Sequence, residues 1–325
     1  MIHTRICDLL GIPHPIVLGG MGTATTAPLV AAVPNAGGFG TLGTSAFNAA
    51  TLDAEIGAIR ERTDKPFGVD HLLFQIREDM FSVTLRANPT VAAFAWARKD
   101  PNLRDSFQPA HDAGCGQVHC REVPEAVRAA EIGVDVLVAQ GTEAGGHVGW
   151  MAAFPLVPII VKMVAPLPFL PAGGIADGRG LAAALALGAE GVLLGTRFMA
   201  TPEASIHGNY KQAIVKTDGH DTVLTEIPDL ASHASGWAMS RAQRDKFIER
   251  WSGREWAIRQ DATEVGNQVA AARAAGDVDN APLSFGEDAG LIDSIKTVKE
   301  VIEDIIAEVG KIIAGRLPSL LRRPT

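Results

Sequence analysis

In the first two-thirds of the chain, short apolar runs ending in glycine or a polar residue alternate with longer segments of mixed polarity. The runs are P-I-V-L-G-G (15–20), F-G-T-L-G (39–43), P-F-G-V-D (66–70), T-V-A-A-F-A (90–95), Q-V-H-C (117–120), V-D-V-L-V-A-Q-G (134–141), P-F-L-P-A-G-G (168–174) and G-V-L-L-G-T (191–196). Continuous apolar runs of this length are the mark of strands buried on both faces. Between them, L-D-A-E-I-G-A-I-R-E-R (52–62) and V-P-E-A-V-R-A-A-E-I-G (123–133) repeat apolar positions at three and four residues, as amphipathic helices require. The segment 177–188 opens on Asp177 as an N-cap and closes on Gly188. Strands alternating with helices predict a parallel sheet covered by helices. Eight such units predict an α/β fold, a (β/α)8 TIM barrel. An open doubly wound sheet is the rival, but G-G-M-G-T-A at 19–24 lacks the G-x-G-x-x-G spacing of a dinucleotide turn.

The pattern changes after the eighth run. Residues 205–290 show helical spacing without strand runs and contain Trp237, Trp251 and Trp256. These tryptophans are expected in the core of a helical subdomain rather than in a substrate wall. The stretch 227–245, with Pro228 and Gly236, reads as irregular. Residues 291–314 form an amphipathic helix that should dock on the barrel or on a partner subunit, which leaves a homodimer open. The tail from Arg316 reads as frayed. The expected organisation is a barrel over 1–204, a helical subdomain inserted near its mouth over 205–290, and a C-terminal helix and tail over 291–325.

Composition narrows the class of protein. Hydrophobic residues make up 47% and charged residues 20% of 325, an ordinary globular balance. The net charge of −8, with no Lys/Arg stripe interleaved with aromatics, argues against nucleic acid and against an anionic membrane surface. Cys7, Cys115 and Cys120 lack C-x-x-C spacing, so reduced thiols are expected and neither a disulfide framework nor a metal site is suggested. The N-terminus carries no apolar leader pattern, and prolines and Lys162 break the apolar stretch around 152–172. A cytoplasmic location is the expectation.

Candidate chemistry gathers at the strand ends. In a barrel the active site lies at the C-terminal ends of the strands. There stand Gly20, Met21 and Gly22 after strand one, Asp70 and His71 after strand three, and the block A-Q-G-T-E-A-G-G-H-V-G (139–149) after strand six. That block supplies Gln140, Glu143, Gly145, Gly146 and His147. Gly173 and Gly174 follow strand seven, and Gly195 and Thr196 follow strand eight. Those last two ends are where barrels most often hold a phosphate, and glycines let a ligand approach bare amides. A phosphorylated cofactor is the natural occupant. Histidine exchanges protons near neutral pH, so His147 is the candidate acid or base. Glu143 is expected to cap its turn, and His71 is read either as a counter-charge to Asp70 or as a surface residue.

The blocks P-I-V-L-G-G-M-G, A-Q-G-T-E-A-G-G-H-V-G, P-A-G-G-I-A-D-G-R-G-L-A-A-A-L-A-L-G-A-E-G-V-L-L-G-T-R-F and A-T-P-E-A-S resemble the nitronate monooxygenase family. They are also similar to the flavin-dependent enoyl-acyl-carrier-protein reductases of the same barrel type. H-G-N-Y-K-Q-A-I-V-K and D-T-V-L-T (207–225) resemble a segment of both groups, and H-G-N-Y-K-Q leans toward the reductases. The resemblance covers residues 1 to about 226.

It implies an FMN-binding barrel. The flavin phosphate would lie on the amides of Gly173, Gly174, Gly195 and Thr196, with Gly145 and Gly146 nearby. The ring would rest on Gly20–Met21–Gly22, with Gln140 as a side-chain contact and His147 as the catalytic histidine. The implied reaction is oxidation of alkyl nitronates with O2 to a carbonyl compound and nitrite. The alternative is an NAD(P)H-dependent reductase of enoyl thioesters, activated alkenes or quinones. The chain departs from the family pattern in having Asp70 where F-G-V-N has Asn, and G-G-M where A-P-M is expected. An ionised Asp70 would accept hydrogen bonds, donate none, and oppose an anionic reduced cofactor. A flavin-free phosphate-ligand barrel is a third reading. Five glycine-rich strand ends, with room for a flat ring, argue against it.

Overall fold

Every one of the apolar runs forms a strand of one barrel. The strands are β1 (Ile16–Leu18), β2 (Gly40–Gly43), β3 (Phe67–Leu72), β4 (Val91–Ala95), β5 (Cys115–Cys120), β6 (Val136–Gln140), β8 (Phe169–Ala172) and β9 (Val192–Leu194), with a two-residue strand β7 (Gly146–His147) outside the barrel. This computed structural model describes residues 2–96, 107–108, 115–120, 122–232 and 239–321. The barrel strands pair in parallel in the order β1-β9-β8-β6-β5-β4-β3-β2. A parallel bridge between Val17 and Phe39 closes the ring, with Leu18 N–H donating to Phe39 O at 2.8 Å and Phe39 N–H to Ile16 O at 2.9 Å.

Alternation along the strands divides the core into two layers. Val17, Phe39, Val91, Val136, Val138 and Leu170 fill the barrel interior, packed with Ile6, Leu10 and Ile12. The helix Arg5–Leu10 therefore plugs the N-terminal end of the barrel. Ile16, Leu18, Leu137 and Ala139 point outward into the layer shared with the helices. With one end plugged by apolar side chains, a ligand site falls to the other. The helices Ala49–Arg60, Val123–Glu131 and Gly178–Ala186 occupy the predicted positions. The Asp177 carboxylate accepts from the amides of Arg179 and Gly180 at 2.9 and 3.1 Å, and Gly188 takes a φ of +95° just past the helix end.

The chain after the barrel is not purely helical. Strands β10 (Thr222–Thr225) and β11 (Ser240–Gln243) pair antiparallel, and β11 pairs in turn with β7 through Ser240–His147 and Arg241–Gly146. These strands are short and half-buried or capped by polar side chains, so no apolar run announces them. Beside them, Ile227, Ala242, Phe247, Ile248, Ile258 and Val265 form a separate core. Trp251 packs at its edge, whereas Trp256 is 60% exposed and belongs to no core. Trp237 lies outside the described residues.

The C-terminal helix is Val298–Lys311, shorter than expected at its start. Thr297 sets that start by a capping box, accepting from the Glu300 amide while the Glu300 carboxylate accepts from its own at 2.8 Å. Val298, Ile302, Ile305 and Val309 pack on the barrel helices, and Glu308 accepts from the Gly178 amide at 2.8 Å. The helix thus docks on its own barrel. A further turn at Leu317–Ser319 is helical rather than frayed. Among the described residues no helix is long and apolar enough to cross a membrane.

Candidate active site

The strand ends and the post-barrel segment enclose one cavity of about 780 Å³. Gly20, Met21, Gly22, Asp70, Gln140, Gly145, Gly146, His147, Gly173, Gly195 and Thr196 all line it. Gly174 does not; it turns away with a φ of +72° and packs toward the Glu143 side chain.

The floor is built from backbone. A Cβ on Gly20 would sit 2.7 Å from Asp70 Oδ2, and one on Gly43 would sit 2.8 Å from the Met21 and Gly22 nitrogens. The loop after β1 therefore lies flush on the ends of β2 and β3. Thr25, fully buried, pins it: its Oγ1 accepts from the amides of Met21 at 3.0 Å and Gly43 at 3.1 Å. Beyond the floor, a Cβ on Gly146 would meet nothing within 4 Å. Bare amides and open space at these positions form a flat cradle that a planar ring fits.

Asp70 stands at the cradle's edge on β3, 4% exposed, with Oδ1 lacking any hydrogen-bond partner. Burial pushes its carboxyl up to about 7. His71 is neither its counter-charge nor a surface group. Its imidazole points away, with Nε2 2.8 Å from Thr84 Oγ1 and Nδ1 3.3 Å from Thr44 Oγ1, stacked near Phe94 and edge-on to Phe81. Burial holds it down at about 4, so it is a neutral core histidine.

The strand-six block is fixed by its own side chains. Gln140 Nε2 donates to the carbonyl of His147 at 2.7 Å. Glu143 caps the helix Ala153–Val164, both carboxylate oxygens lying 2.9 Å from the Ala153 amide. A Cβ on Gly145 would fall 2.5 Å from Phe285 backbone, so the post-barrel chain crosses directly over this loop. Buried Arg241 ties the two together, donating to Thr142 O at 2.8 Å and pairing with Glu287 at 2.8 Å.

His147 is held from three sides. Its Nε2 lies 2.8 Å from Oδ1 of Asp229, on the short helix Ile227–Ala231. A carboxylate only accepts, so Nε2 carries a proton. Ser240 donates to the same Oδ1 at 3.0 Å, and Asp229 Oδ2 is buried without a hydrogen-bond partner. Phe74 and Trp96 meet the imidazole edge-on, at ring-centroid distances of 5.7 and 6.4 Å. Trp96 adopts a φ of +64°, a left-handed conformation rare for a bulky residue. Such strain costs about 1 kcal/mol or more and collects at functional sites.

At the strand-seven and strand-eight ends, Thr196 opens the turn Thr196–Met199, whose first amides have no intrahelical acceptor. Its hydroxyl oxygen accepts from the Gly286 amide at 3.0 Å and its proton goes to Asp288. Burial pushes Asp288 up to about 7, which lowers its charge beside a site suited to an anion. The outer wall comes from beyond the barrel: His207, Tyr210 and, on the helix Ala262–Ala275, Ala270 and Arg273.

Sequence reasoning missed Asp229, Thr25, Phe74, Trp96, Asp288 and Arg273. Trp96 was within reach, because it directly follows a strand end. Asp229 carried no signal: I-P-D-L-A matches no motif, and only the β7–β11 pairing brings it to His147.

Comparison with known proteins agrees with this architecture. The nitronate monooxygenase family profile matches residues 3–88 and 79–308. The (3aS,4S,5R,7aS)-5-hydroxy-7a-methyl-1-oxo-octahydro-1H-indene-4-carboxyl-CoA dehydrogenase of Mycobacterium tuberculosis is 31% identical, over 94% of this chain and 96% of its own. A probable nitronate monooxygenase of Staphylococcus saprophyticus is 32% identical over 70% of this chain and 76% of its own. The structure of FabK from Thermotoga maritima superposes with a TM-score of 0.89 at 35% identity, covering 99% of this chain and all of that one.

Proposed function

The chain belongs to the nitronate monooxygenase family of oxidoreductases, and from that premise we propose that it is an FMN-dependent enzyme acting on the α,β bond of an acyl thioester, with NAD(P)H as the second co-substrate in the reducing direction. The observation that carries this reading is the reach of the cavity. At about 780 Å³ it runs from the glycine cradle past His147 to Arg273 on the outer wall. That lies in the upper part of the usual range of about 300–1,000 Å³ for ligand pockets, and its lining extends beyond the cradle to leave space for a second ligand beside a flavin. The full-length similarity to a carboxyl-CoA dehydrogenase supports the same substrate class.

The residues present fit a flavin. Gly20, Met21 and Gly22 would support the ring, Asp70 and Gln140 would stand at its edges, and Gly173, Gly195 and Thr196 would hold the phosphate. When bound, the flavin supplies a reversible hydride acceptor.

His147 handles the proton that must move with that hydride. In reduction of an enoyl thioester it protonates Cα of the enolate as hydride reaches Cβ; in the reverse direction it removes the α-proton. Asp229 keeps the ring oriented and stabilises the imidazolium that forms when the ring takes a second proton. Phe74 and Trp96 exclude water from the imidazole, which strengthens both interactions.

Nitronate oxidation is the second reading, favoured by the family profile and the staphylococcal relative. The test is an anaerobic steady-state assay of the FMN-loaded protein with NADPH or NADH and crotonyl-CoA. Crotonyl-CoA-dependent consumption of the nicotinamide, lost in His147→Ala with flavin retained, supports the proposal. No consumption, together with nitrite release from propyl-2-nitronate in air, replaces it with the second reading.

A further inference from the structure

Asp70 is a buried carboxyl group facing a ligand cavity with one oxygen unsatisfied. On either side β3 pairs with Gly43 of β2 and Ala93 of β4, and the Gly20 backbone lies across it. None of these neighbours carries charge. Its neighbour on the strand, His71, is turned to Thr44 and Thr84 and is neutral. The titratable groups facing the same cavity are His147, Asp229, His207, Tyr210, Arg273, Asp277 and Asp288. None of them shifts Asp70, whose rise to about 7 has burial as its cause.

An ionised carboxylate with an orphaned oxygen in such a place is costly, and a neutral carboxylic acid is much less so. The acid form has an O–H that needs an acceptor, and no protein acceptor meets Oδ1. Either carboxyl oxygen can carry that proton, and the cavity that Asp70 lines is where a ligand can offer the acceptor.

We propose that Asp70 meets the flavin as a carboxylic acid, donating its proton to an acceptor on the ring edge, and that loss of this proton weakens flavin binding and disfavours flavin reduction. Asp70 then does at low and neutral pH what an amide side chain would do at every pH: it donates. Ionisation replaces that donor with a negative charge beside a ring that becomes anionic on reduction. The aspartate adds its own pH dependence to cofactor affinity and reduction potential. The inference rests on the flavin reading of the cavity.

The test compares wild type with the near-isosteric Asp70→Asn. FMN affinity is measured by fluorescence quenching from pH 6 to pH 9, and the midpoint potential of the loaded protein by dye-coupled titration over the same range. Both proteins share the ionisation of the FMN phosphate, so the difference isolates residue 70. The expected result is similar affinity at pH 6, at least a tenfold greater loss in wild type by pH 9, and a wild-type potential that falls below that of Asp70→Asn as pH rises. Should Asp70→Asn fold poorly, wild type alone decides through the infrared difference spectrum of FMN binding, where a carboxylic-acid C=O band that vanishes at high pH is expected. Parallel pH profiles, or no such band, overturn the inference while leaving flavin binding intact. If neither protein binds FMN at any pH, the proposed function fails first and this inference with it.

Discussion

Asp229 and His147, 82 residues apart in sequence, meet in the cavity wall with Oδ1 2.8 Å from Nε2. The contact exists because β11 pairs with β7 and carries the adjoining helix over the barrel mouth. The barrel presents the histidine, and the chain beyond the barrel orients it. The post-barrel segment is thus part of the site rather than an appendage.

Asp229→Asn should therefore lower kcat on the order of 10²-fold or more while KM changes little and bound flavin is kept. An amide at this position can present its NH2 to Nε2 and stabilise the wrong tautomer. Steady-state kinetics with a flavin spectrum on each preparation checks this. A variant with unchanged kcat would remove Asp229 from the account.

Gly20→Ala should loosen the floor. The added methyl would sit within 3.0 Å of Asp70 side-chain atoms and of Gly43 Cα, so the loop must lift from the strand ends. Overpacking of this kind costs roughly 1–3 kcal/mol. Calorimetry should show a lower Tm, and FMN binding should weaken more than it does in Gly208→Ala, where a Cβ meets nothing.

At the far end of the cavity, Arg273→Glu should raise KM for a CoA thioester severalfold and leave kcat within about twofold, because it removes uniform binding away from the reacting atoms. A short substrate without phosphates should show no such change. Equal effects on both would place Arg273 outside the substrate path.

His71 gives stability a defined pH dependence. Its pKa is lowered from 6.5 to about 4 in the fold, so the unfolded chain binds more protons between those values. Stability is fully present above about 6.5 and is lost as pH falls toward about 4, by on the order of 3 kcal/mol. Asp70 and Asp288, both raised to about 7, act oppositely: their contribution is full below about 4 and is lost as pH rises to about 7. Denaturant melts of wild type and His71→Gln at pH 4.5 and 7 should show the variant gaining stability relative to wild type at the lower pH.

The barrel was legible because each strand is buried on both faces, and such strands read as plain apolar runs bounded by glycine. The strand ends were legible for the same reason, so Gly20, Asp70, Gln140, His147, Gly173 and Thr196 were found and line one cavity. Gly174, read from the same A-G-G block as Gly173, does not line that cavity. Strands β10 and β11 were not legible, being short and partly polar, and Asp229 went with them because its role depends on that pairing. His71 could be placed only by knowing which way β3 faces. Alternation shows that neighbours on a strand point apart, but not that Thr44 and Thr84 wait on the far side.

We propose that the cavity transfers hydride between a flavin and the α,β bond of a thioester. The most direct test is stopped-flow spectroscopy of the FMN-loaded protein, reduced anaerobically with dithionite and mixed with crotonyl-CoA. The account predicts rapid return of the oxidised flavin band, slowed at least 10²-fold in His147→Ala. A band that stays bleached with crotonyl-CoA, while propyl-2-nitronate bleaches the oxidised enzyme, would contradict it.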